Sequence, residues 1–506
     1  MPEYLYSLMQ ILLLSTAFFA IADRSITTIS GHDNFRRRRN LWFCLTVAAF
    51  LAPSFWVYAV IAIPLLLYAV RHESNFPALF FFILFALPTG TVTIPGFGLV
   101  NFLLGISHAR MLSLLILAPV FFSLMRNGNA LRFGRNAPDK ALAAYLLLTA
   151  ILYLRDSTLT DTMREAFYLF IDVFLPYFVI SRSLKDLQAF RDALLSLMIA
   201  ILVLAPIAIL ESLREWLLYN SLIYKLGIAG GMTKYLERDG ILRVSASVGH
   251  PIALGYLMVV GMGIYLFLQG SFKQKLIRRS GMALLTAGLI APLSRGPWMG
   301  ACVLFIVYIG TGHNPVRRLI SWTVAGMLAF LLISTIPGGE KVINLLPFIG
   351  TTEKSNIVYR EKLITNSMTV IESNPWFGSV NYLETPQMKA LYEGGIIDVV
   401  NTYIEIALKK GLVGLGLFVG FFGLVVIGIR RAMRSLSNPE SEEYLLGRIL
   451  LATLLAILFI IITVSSITII PLVYWSVAGL GVAYAQMVQE LSDKNALRPV
   501  PGLNDT

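Results

Sequence analysis

Two arginines at the ends of neighbouring apolar segments are the residues best suited to bind a charged substrate. Arg243 lies shortly before Gly249-His250-Pro251. The second, Arg295, lies within Ser294-Arg295-Gly296-Pro297. Proline is favoured at the first helical position, so each motif predicts a helix that begins near an arginine. Helix N-termini attract anions, and arginine binds phosphate through paired donors. The two motifs therefore predict a phosphate site, with snorkelling at the membrane surface as the alternative role for Arg243.

The elements that must position these arginines are membrane helices. The chain has 506 residues, of which 57% are hydrophobic and only 14% are charged. Soluble domains carry about 25% charged residues. Apolar runs of about 20 residues, the length that crosses a bilayer, recur along the sequence. We therefore predict an all-α polytopic membrane protein without a separate soluble domain.

The positive charge marks one side of the membrane. The net charge is +12, and most of the excess lies in short segments between apolar runs, as the positive-inside rule requires of cytoplasmic loops. No aromatic residues alternate with these charges, so nucleic-acid binding is not predicted. The basic groups are residues 36–39; Arg126, Arg132 and Arg135; Lys273, Lys275, Arg278 and Arg279; Arg317 and Arg318; and Arg430, Arg431 and Arg434.

The apolar runs predict about 14 transmembrane helices with a cytoplasmic C-terminus. The predicted segments are 4–22, 41–70, 76–93, 109–125, 141–154, 165–180, 189–210, 251–269, 280–293, 297–311, 319–336, 403–429, 446–464 and 467–487. Pro53 divides segment 41–70, which predicts a hairpin of two short helices, with one long tilted helix as the alternative. Residues 11–22 resemble a signal peptide, but no positive charge precedes them, so we predict an uncleaved first helix.

Five regions follow from this division of the chain. They are residues 1–242 with a first outer loop at 211–250, a core region 243–336 with both arginine motifs, a large periplasmic loop 337–402, C-terminal helices 403–491 and a polar tail 492–506. Residues 355–373 of the large loop predict an amphipathic helix whose apolar stripe contains Ile357, Ile364, Met368 and Ile371. The Pro- and Gly-rich residues 91–105 predict either an outer turn or a re-entrant segment.

Several residue types exclude other chemistry. Cys44 and Cys302 each lie in an apolar run and are predicted to be packing residues. The five histidines are scattered, and the sequence has no Asp-X-Asp pair, P-loop or Gly-X-Ser-X-Gly motif. We therefore predict no metal and no cofactor. Asp172 lies within a predicted span, where a carboxylate faces the bundle interior or a cavity, and its simplest role is a packing hydrogen bond.

Four motifs, in this order, resemble the O-antigen ligase and polysaccharide polymerase family. They are RVSASVGHPIALG, APLSRGPWMG, SNIVYREKLITNSMTVIESNPWFG and NTYIEIALKKGLVG, which together span residues 243–414. The resemblance implies a GT-C-like fold and a metal-independent glycosyltransferase that passes a sugar chain from a polyprenyl diphosphate to an acceptor hydroxyl. Arg243, Arg295 and Arg360 match the positions expected to hold the diphosphate. Supporting residues are then Ser294, Gly296 and Asn401.

One position departs from the family pattern. The last motif often begins His-Asn, and that histidine is the general base proposed for ligases, but this chain has Val400 there. A different group must then reach the acceptor hydroxyl if a base is used. The candidates are Asp398, Glu405, His250 and Glu393. Glu405 has an alternative role as a carboxylate at a helix start. Loss of the histidine favours a polymerase over a ligase.

Three functions remain open at this point. The first is a polymerase that joins lipid-linked repeat units into exopolysaccharide or O-antigen on the periplasmic face of the bacterial inner membrane. The second is a ligase that transfers finished polymer to a lipid or protein acceptor. The third is a precursor transporter or flippase without catalysis. The expected partners are a polyprenyl diphosphate-linked oligosaccharide, the lipid bilayer, and a chain-length regulator or other polysaccharide-assembly proteins.

Overall fold

The computed structural model describes residues 1–26, 31–98, 101–126, 133–230, 235–238, 240–335, 354–392 and 397–496. Helices dominate them. Nine of these helices are long and apolar enough to cross a membrane. The helices Phe55–Arg71 and Arg295–Gly310 are apolar but shorter. The all-α polytopic architecture is therefore confirmed.

The helices of the first half are Glu3–Ile26, His32–Leu51, Phe55–Arg71, Phe76–Ile83, His108–Leu112, Ala118–Arg126, Ala137–Asp156, Leu159–Tyr168, Leu175–Ser183, Leu187–Leu202, Leu204–Arg214 and Asn220–Leu226. Two π-helical turns, Ser113–Leu117 and Leu169–Phe174, join neighbouring helices. The helices of the second half are Pro251–Leu268, Lys275–Ile290, Arg295–Gly310, Pro315–Thr335, Lys354–Ser373, Pro386–Lys389, Thr402–Ser435, Glu442–Ile460 and Ile470–Ala496. Short 3₁₀ turns lie at Ala246–Val248, Gln269–Ser271 and Tyr382–Glu384.

The bundle is built around the helix Pro251–Leu268, which is buried along almost its whole length. It packs against the helices Leu187–Leu202, Lys275–Ile290, Arg295–Gly310 and Glu442–Ile460. A Cβ atom at Gly255 would lie 2.9 Å from Pro297, so the glycine lets the two helices approach closely. This contact fixes the Arg295 motif against the helix that begins after His250.

Two early predictions were only partly correct. Segment 41–70 does contain two helices, which separate at residues 52–54 as the hairpin prediction required. However, residues 36–39 belong to the helix His32–Leu51 rather than to a loop. The helix continues because the buried Arg38 forms ion pairs of 2.7 Å with Glu73 and 2.8 Å with Asp192.

Segment 76–93 is not one span. Its helix ends at Ile83, and a β-hairpin follows, with strand Val92–Pro95 paired antiparallel to Phe102–Ile106. Pro88 and Gly90, which has φ 136°, interrupt the helical pattern. The described residues of this segment, 91–98 and 101–105, therefore belong to a β-hairpin rather than to a re-entrant helix. Thr91 also pairs with Ala229. A second strand pair joins Glu237–Arg238 to Ile241–Leu242 within the predicted first outer loop, which also contains the helix Asn220–Leu226.

The predicted helix of the large loop is present as Lys354–Ser373, but its predicted apolar stripe was only partly correct, because, of its described members, Ile371 alone is buried. Ile364 and Met368 are about half exposed, whereas Leu363, Val370 and Ile371 are buried. The buried side chains form a small apolar cluster with Tyr382, Met388, Leu391, Val399, Ala407 and Leu408. The helix therefore packs on the rest of the loop and on the start of the helix Thr402–Ser435.

The helix Thr402–Ser435 contains a break at Gly411, where φ is 65° and ψ is −171°. A Cβ atom there would lie 2.2 Å from the carbonyl carbon of Trp376. The loop backbone enters this break, and the amide of Leu412 donates to the carbonyl of Pro375 at 2.8 Å. The break therefore ties the large loop to the membrane helix that carries Glu405.

Candidate active site

The candidate site is organised by a turn that the sequence did not single out. Residues 461–469, here called the polar turn, connect the helices Glu442–Ile460 and Ile470–Ala496. The amide of Thr402 donates to the carbonyls of Ile461 and Val464, each at 3.0 Å. The Thr402 hydroxyl donates to Val464 as well, at 2.8 Å. These bonds fix the polar turn against the start of the helix Thr402–Ser435.

Asp398 is held against the polar turn from one side. The hydroxyl of Ser465 donates to Asp398 Oδ1 at 2.9 Å. The Tyr359 hydroxyl donates to the Asp398 carbonyl at 3.0 Å and accepts from its amide at 3.2 Å. Arg360, which follows Tyr359 in the helix Lys354–Ser373, is close enough to act on the Asp398 carboxylate electrostatically. Residues from three separate segments therefore converge on this carboxylate.

The environment makes Asp398 more basic than an ordinary aspartate. Burial raises its pKa, and repulsion from Glu405 raises it further. The Ser465 hydrogen bond and the charge of Arg360 oppose this shift, because both favour the ionised form. The upward effects prevail, so Asp398 holds a proton more readily than a carboxylate in water.

Glu405 lies next to Asp398 but has its own partners. Its Oε1 accepts from Lys409 Nζ at 2.7 Å, and its Oε2 accepts from the amide of Ser466 at 3.2 Å. Asn401 caps the same helix, and its Oδ1 accepts from the amides of Tyr403 at 2.9 Å and Ile404 at 3.1 Å. Asn401 therefore fixes the helix start, and the ion pair with Lys409 holds Glu405.

Arg243 and the Arg295 motif meet at the same end of the bundle. Arg243 Nη2 donates to Ser294 Oγ at 3.1 Å, and its Nε donates to the carbonyl of Pro292 at 3.3 Å. Arg295 is the first residue of its helix and is half-buried. A Cβ atom at Gly296 would lie 2.3 Å from Thr463 Oγ1, so the glycine allows this helix start to touch the polar turn.

His250 lies beside Arg243 and already has a partner. It caps the helix Pro251–Leu268, where its Nδ1 accepts from the amide of Ile252 at 3.1 Å. Burial and the positive charge of Arg243 lower its pKa to about 4. The imidazole is therefore neutral at neutral pH and a weak base, so its predicted role as a catalytic base receives no support from this geometry.

The predicted residues thus form two groups at different points along the polar turn. Arg243, Ser294, Arg295 and Gly296 lie near Thr463, and Asp398, Arg360, Glu405 and Asn401 lie near Ser465 and Ser466. Glu393 lies outside the described residues. Among the residues that the structure does describe, no cluster of three or more His, Cys, Asp or Glu side chains could hold a metal ion.

Sequence reasoning missed the hydroxyls of the polar turn and the role of Lys409. A signal was present, because Thr463, Ser465, Ser466 and Thr468 interrupt two long apolar runs within six residues of each other. Short hydroxyl-rich turns are common between membrane helices, however, and nothing local connects these residues to Asp398 or Glu405.

These features define a multi-pass membrane protein with arginines and carboxylates gathered at one end of its bundle. Within that class of protein, a family model described as O-antigen ligase matches residues 280–419. The resemblance to the O-antigen ligase and polymerase family is thereby confirmed over this segment. No curated protein matches the chain. The match includes Arg295, Arg360, Asp398 and Glu405, whereas Arg243 and the polar turn lie outside it.

Proposed function

We propose that the protein is a glycosyltransferase that joins lipid-linked oligosaccharide repeat units into exopolysaccharide or O-antigen. The donor is an oligosaccharide on a polyprenyl diphosphate, and the acceptor is a saccharide hydroxyl. The observation that carries the proposal is the polar turn, which contacts the arginine motif through Gly296 and the carboxylate of Asp398 through Ser465. One turn thus contacts both the arginine motif and the carboxylate that has a raised pKa.

The reaction needs no external source of energy, because the sugar diphosphate is already activated. The acceptor oxygen attacks the anomeric carbon of the donor sugar and forms the new glycosidic bond. The bond between that carbon and the diphosphate oxygen breaks, and the electron pair leaves with the diphosphate. Arg243, Arg295 and Arg360 stabilise the developing negative charge, and Asp398 accepts the proton of the acceptor hydroxyl.

Asp398 suits the role of base better than the other candidates. Both carboxylate oxygens of Glu405 already have partners, since Oε1 accepts from Lys409 and Oε2 accepts from the amide of Ser466. His250 uses Nδ1 to cap a helix and lies beside Arg243. The pKa of Asp398 is raised, so its carboxylate takes up a proton more readily than an ordinary one does.

The choice between polymerase and ligase rests on two observations that point in different directions. Val400 stands where the family often has the histidine proposed as the ligase base, which favours a polymerase. The family model that matches residues 280–419 is described as O-antigen ligase, which favours transfer of finished polymer to another acceptor. We give the polymerase priority because the departure concerns a residue beside the proposed base.

The proposed location follows from the basic segments. The positive-inside rule assigns them to the cytoplasm, so the polar turn faces the periplasm if the membrane is the bacterial inner membrane. The substrate would then meet the enzyme after it has crossed the membrane. A chain-length regulator is a plausible partner for a polymerase in that compartment.

A deletion strain distinguishes the polymerase from the ligase. Lipid-linked saccharides are extracted from the strain and sized by mass spectrometry. A polymerase predicts that single lipid-linked repeats accumulate and that the wild-type gene restores long chains. Accumulation of long lipid-linked chains would instead identify a ligase. Normal polymer with no accumulated intermediate would contradict both.

A further inference from the structure

A cavity of about 350 Å³ adjoins the polar turn. Its walls come from the segment after the helix Phe76–Ile83, from the start of the helix at His108, from the π-turn that contains Asp172, and from the polar turn itself. Its volume falls within the range of about 300–1,000 Å³ that is typical of ligand pockets. The hydroxyl-bearing residues of the lining are Thr89, Thr91, Ser107, Ser466 and Thr468.

An ion pair lies in the wall of this cavity. Arg110 donates to Asp172 from Nη2 at 2.8 Å and from Nε at 3.0 Å. Arg110 Nη1 also donates to the carbonyl of Gly105 at 2.6 Å, and its guanidinium lies 3.6 Å from the centre of the Tyr168 ring. The Asp172 side chain is nevertheless 31% exposed, so its oxygens remain accessible to a ligand. The predicted packing role of Asp172 therefore describes only part of its environment.

The composition of the wall favours a neutral, hydroxyl-rich ligand over an anion. Arg110 and Asp172 compensate each other's charge, so this pair adds no net attraction for a phosphate. A carboxylate accepts hydrogen bonds from sugar hydroxyls. Among the wall hydroxyls, Thr89 already donates to the carbonyl of Val248 and Ser107 accepts from the amide of Arg110, so Thr91, Ser466 and Thr468 are the better candidates to bind a sugar. The π-helical turn Leu169–Phe174 contains Asp172, and a second one, Ser113–Leu117, follows the helix of Arg110; such turns often occur at functional sites.

The cavity adjoins the polar turn near the proposed base, and its wall residue Thr89 also bonds to Ser247 and Val248 in the loop that carries Arg243. Along the polar turn, Thr463 contacts the Arg295 motif, Ser465 binds Asp398, and Ser466 both binds Glu405 and lines the cavity. The polar turn thus contacts the arginine motif, both carboxylates and the cavity. A base must reach the acceptor hydroxyl, so the acceptor is expected close to these carboxylates, where the cavity lies.

We propose that this cavity is a subsite for the acceptor saccharide, held by Asp172 and Arg110. The assignment rests on the proposed glycosyl transfer and adds to it the part of the protein that receives the acceptor. Asp172 acts as a hydrogen-bond acceptor for sugar hydroxyls, and Arg110 orients that carboxylate. Neither residue takes part in bond breaking.

Binding of a free oligosaccharide tests the subsite separately from catalysis. The probe is the reducing oligosaccharide that mild acid releases from the host's own lipid-linked repeats, which carries no diphosphate. Its binding to purified full-length protein in detergent is measured by calorimetry. We expect Asp172→Asn to weaken binding at least tenfold. Ala109→Phe, which fills the cavity without removing either charge, should weaken binding to a similar degree.

Two controls make the outcome decisive. Glu442→Gln removes a carboxylate of equal charge from a pair with Arg191 outside the cavity and should bind the oligosaccharide as the wild type does. Arg295→Ala should also retain oligosaccharide binding, because the probe lacks the diphosphate. Equal binding by the wild type and both cavity variants, or no binding by the wild type, would overturn the subsite. Binding without any glycosidic bond formation would overturn the proposed function and leave the subsite standing.

Discussion

The most informative single change is Asp398→Asn, because it removes the proposed base and little else. Asparagine has nearly the same shape as aspartate, and its Oδ1 still accepts from Ser465 Oγ, which lies 2.9 Å from Asp398 Oδ1. The backbone contacts of residue 398 with Tyr359 do not involve the side chain that changes. We therefore expect the variant to fold and insert normally while losing its ability to accept a proton.

The magnitude follows from the role assigned to the carboxylate. General base catalysis contributes about 10²- to 10⁴-fold to a rate. At about 1.4 kcal/mol for each factor of ten, this corresponds to about 2.7–5.4 kcal/mol of transition-state stabilisation. We expect kcat to fall by that factor and KM for the lipid-linked donor to change by less than about threefold, because the arginines that bind the diphosphate are intact.

The pH profile gives a second readout of the same change. Only the ionised carboxylate accepts a proton, so wild-type kcat/KM rises with pH through the pKa of Asp398 and is lost below it. Burial and Glu405 raise this pKa, so the acid limb lies above the value of about 3.9 of an ordinary aspartate. Asp398→Asn should abolish the limb. A variant with wild-type kcat and an unchanged acid limb would refute the assignment of the base.

Three further predictions concern the neighbouring groups. Ser465→Ala removes a donor to ionised Asp398. A hydrogen bond to a charged group is worth about 1.5–3 kcal/mol, so the acid limb should move up by about one to two pH units, and an unmoved limb would contradict the contact. Arg243→Ala and Arg295→Ala should each abolish polymer formation without affecting membrane insertion, which is followed by detergent extraction and size-exclusion chromatography. Normal polymer from both variants would contradict the proposed diphosphate site. Gly411→Ala should lower the thermal unfolding temperature, because the backbone conformation of Gly411 and its close contact with Trp376 exclude a side chain. Gly416→Ala is the control, since nothing lies within 4 Å of the added atom, and it should leave the temperature unchanged. Equal unfolding temperatures for the two variants would contradict the helix break at Gly411.

The sequence predicted the fold class and both arginine motifs because these features are local. A bilayer requires long apolar runs, and proline and glycine mark the helix starts beside Arg295 and His250. Residues 36–39 were assigned to a loop because these four arginines lie between two apolar runs, as the positive-inside rule requires of a cytoplasmic loop. The partners that allow Arg38 to remain in a helix, Glu73 and Asp192, are far away in the chain.

The buried face of the large-loop helix could not be chosen from its own sequence. Residues 354–373 contain apolar side chains on more than one side, and both a stripe through Ile364 and Met368 and a stripe through Leu363 and Val370 fit helical spacing. Packing against Met388 and Leu391 buries the second stripe. The contact between the polar turn and Asp398 also could not be predicted from local sequence, because 67 residues separate Asp398 from Ser465.

The central claim is that the protein itself forms a glycosidic bond from a lipid diphosphate donor. The direct measurement uses purified protein in liposomes that contain lipid-linked repeat units, with a chelator present, and follows joined repeats and released polyprenyl diphosphate by mass spectrometry. We predict that joined repeats and released carrier appear in equal amounts with the wild type, and that Asp398→Asn and Arg295→Ala produce neither at a comparable rate. Movement of the lipid-linked repeats across the bilayer without any new glycosidic bond would contradict the account and identify a transporter.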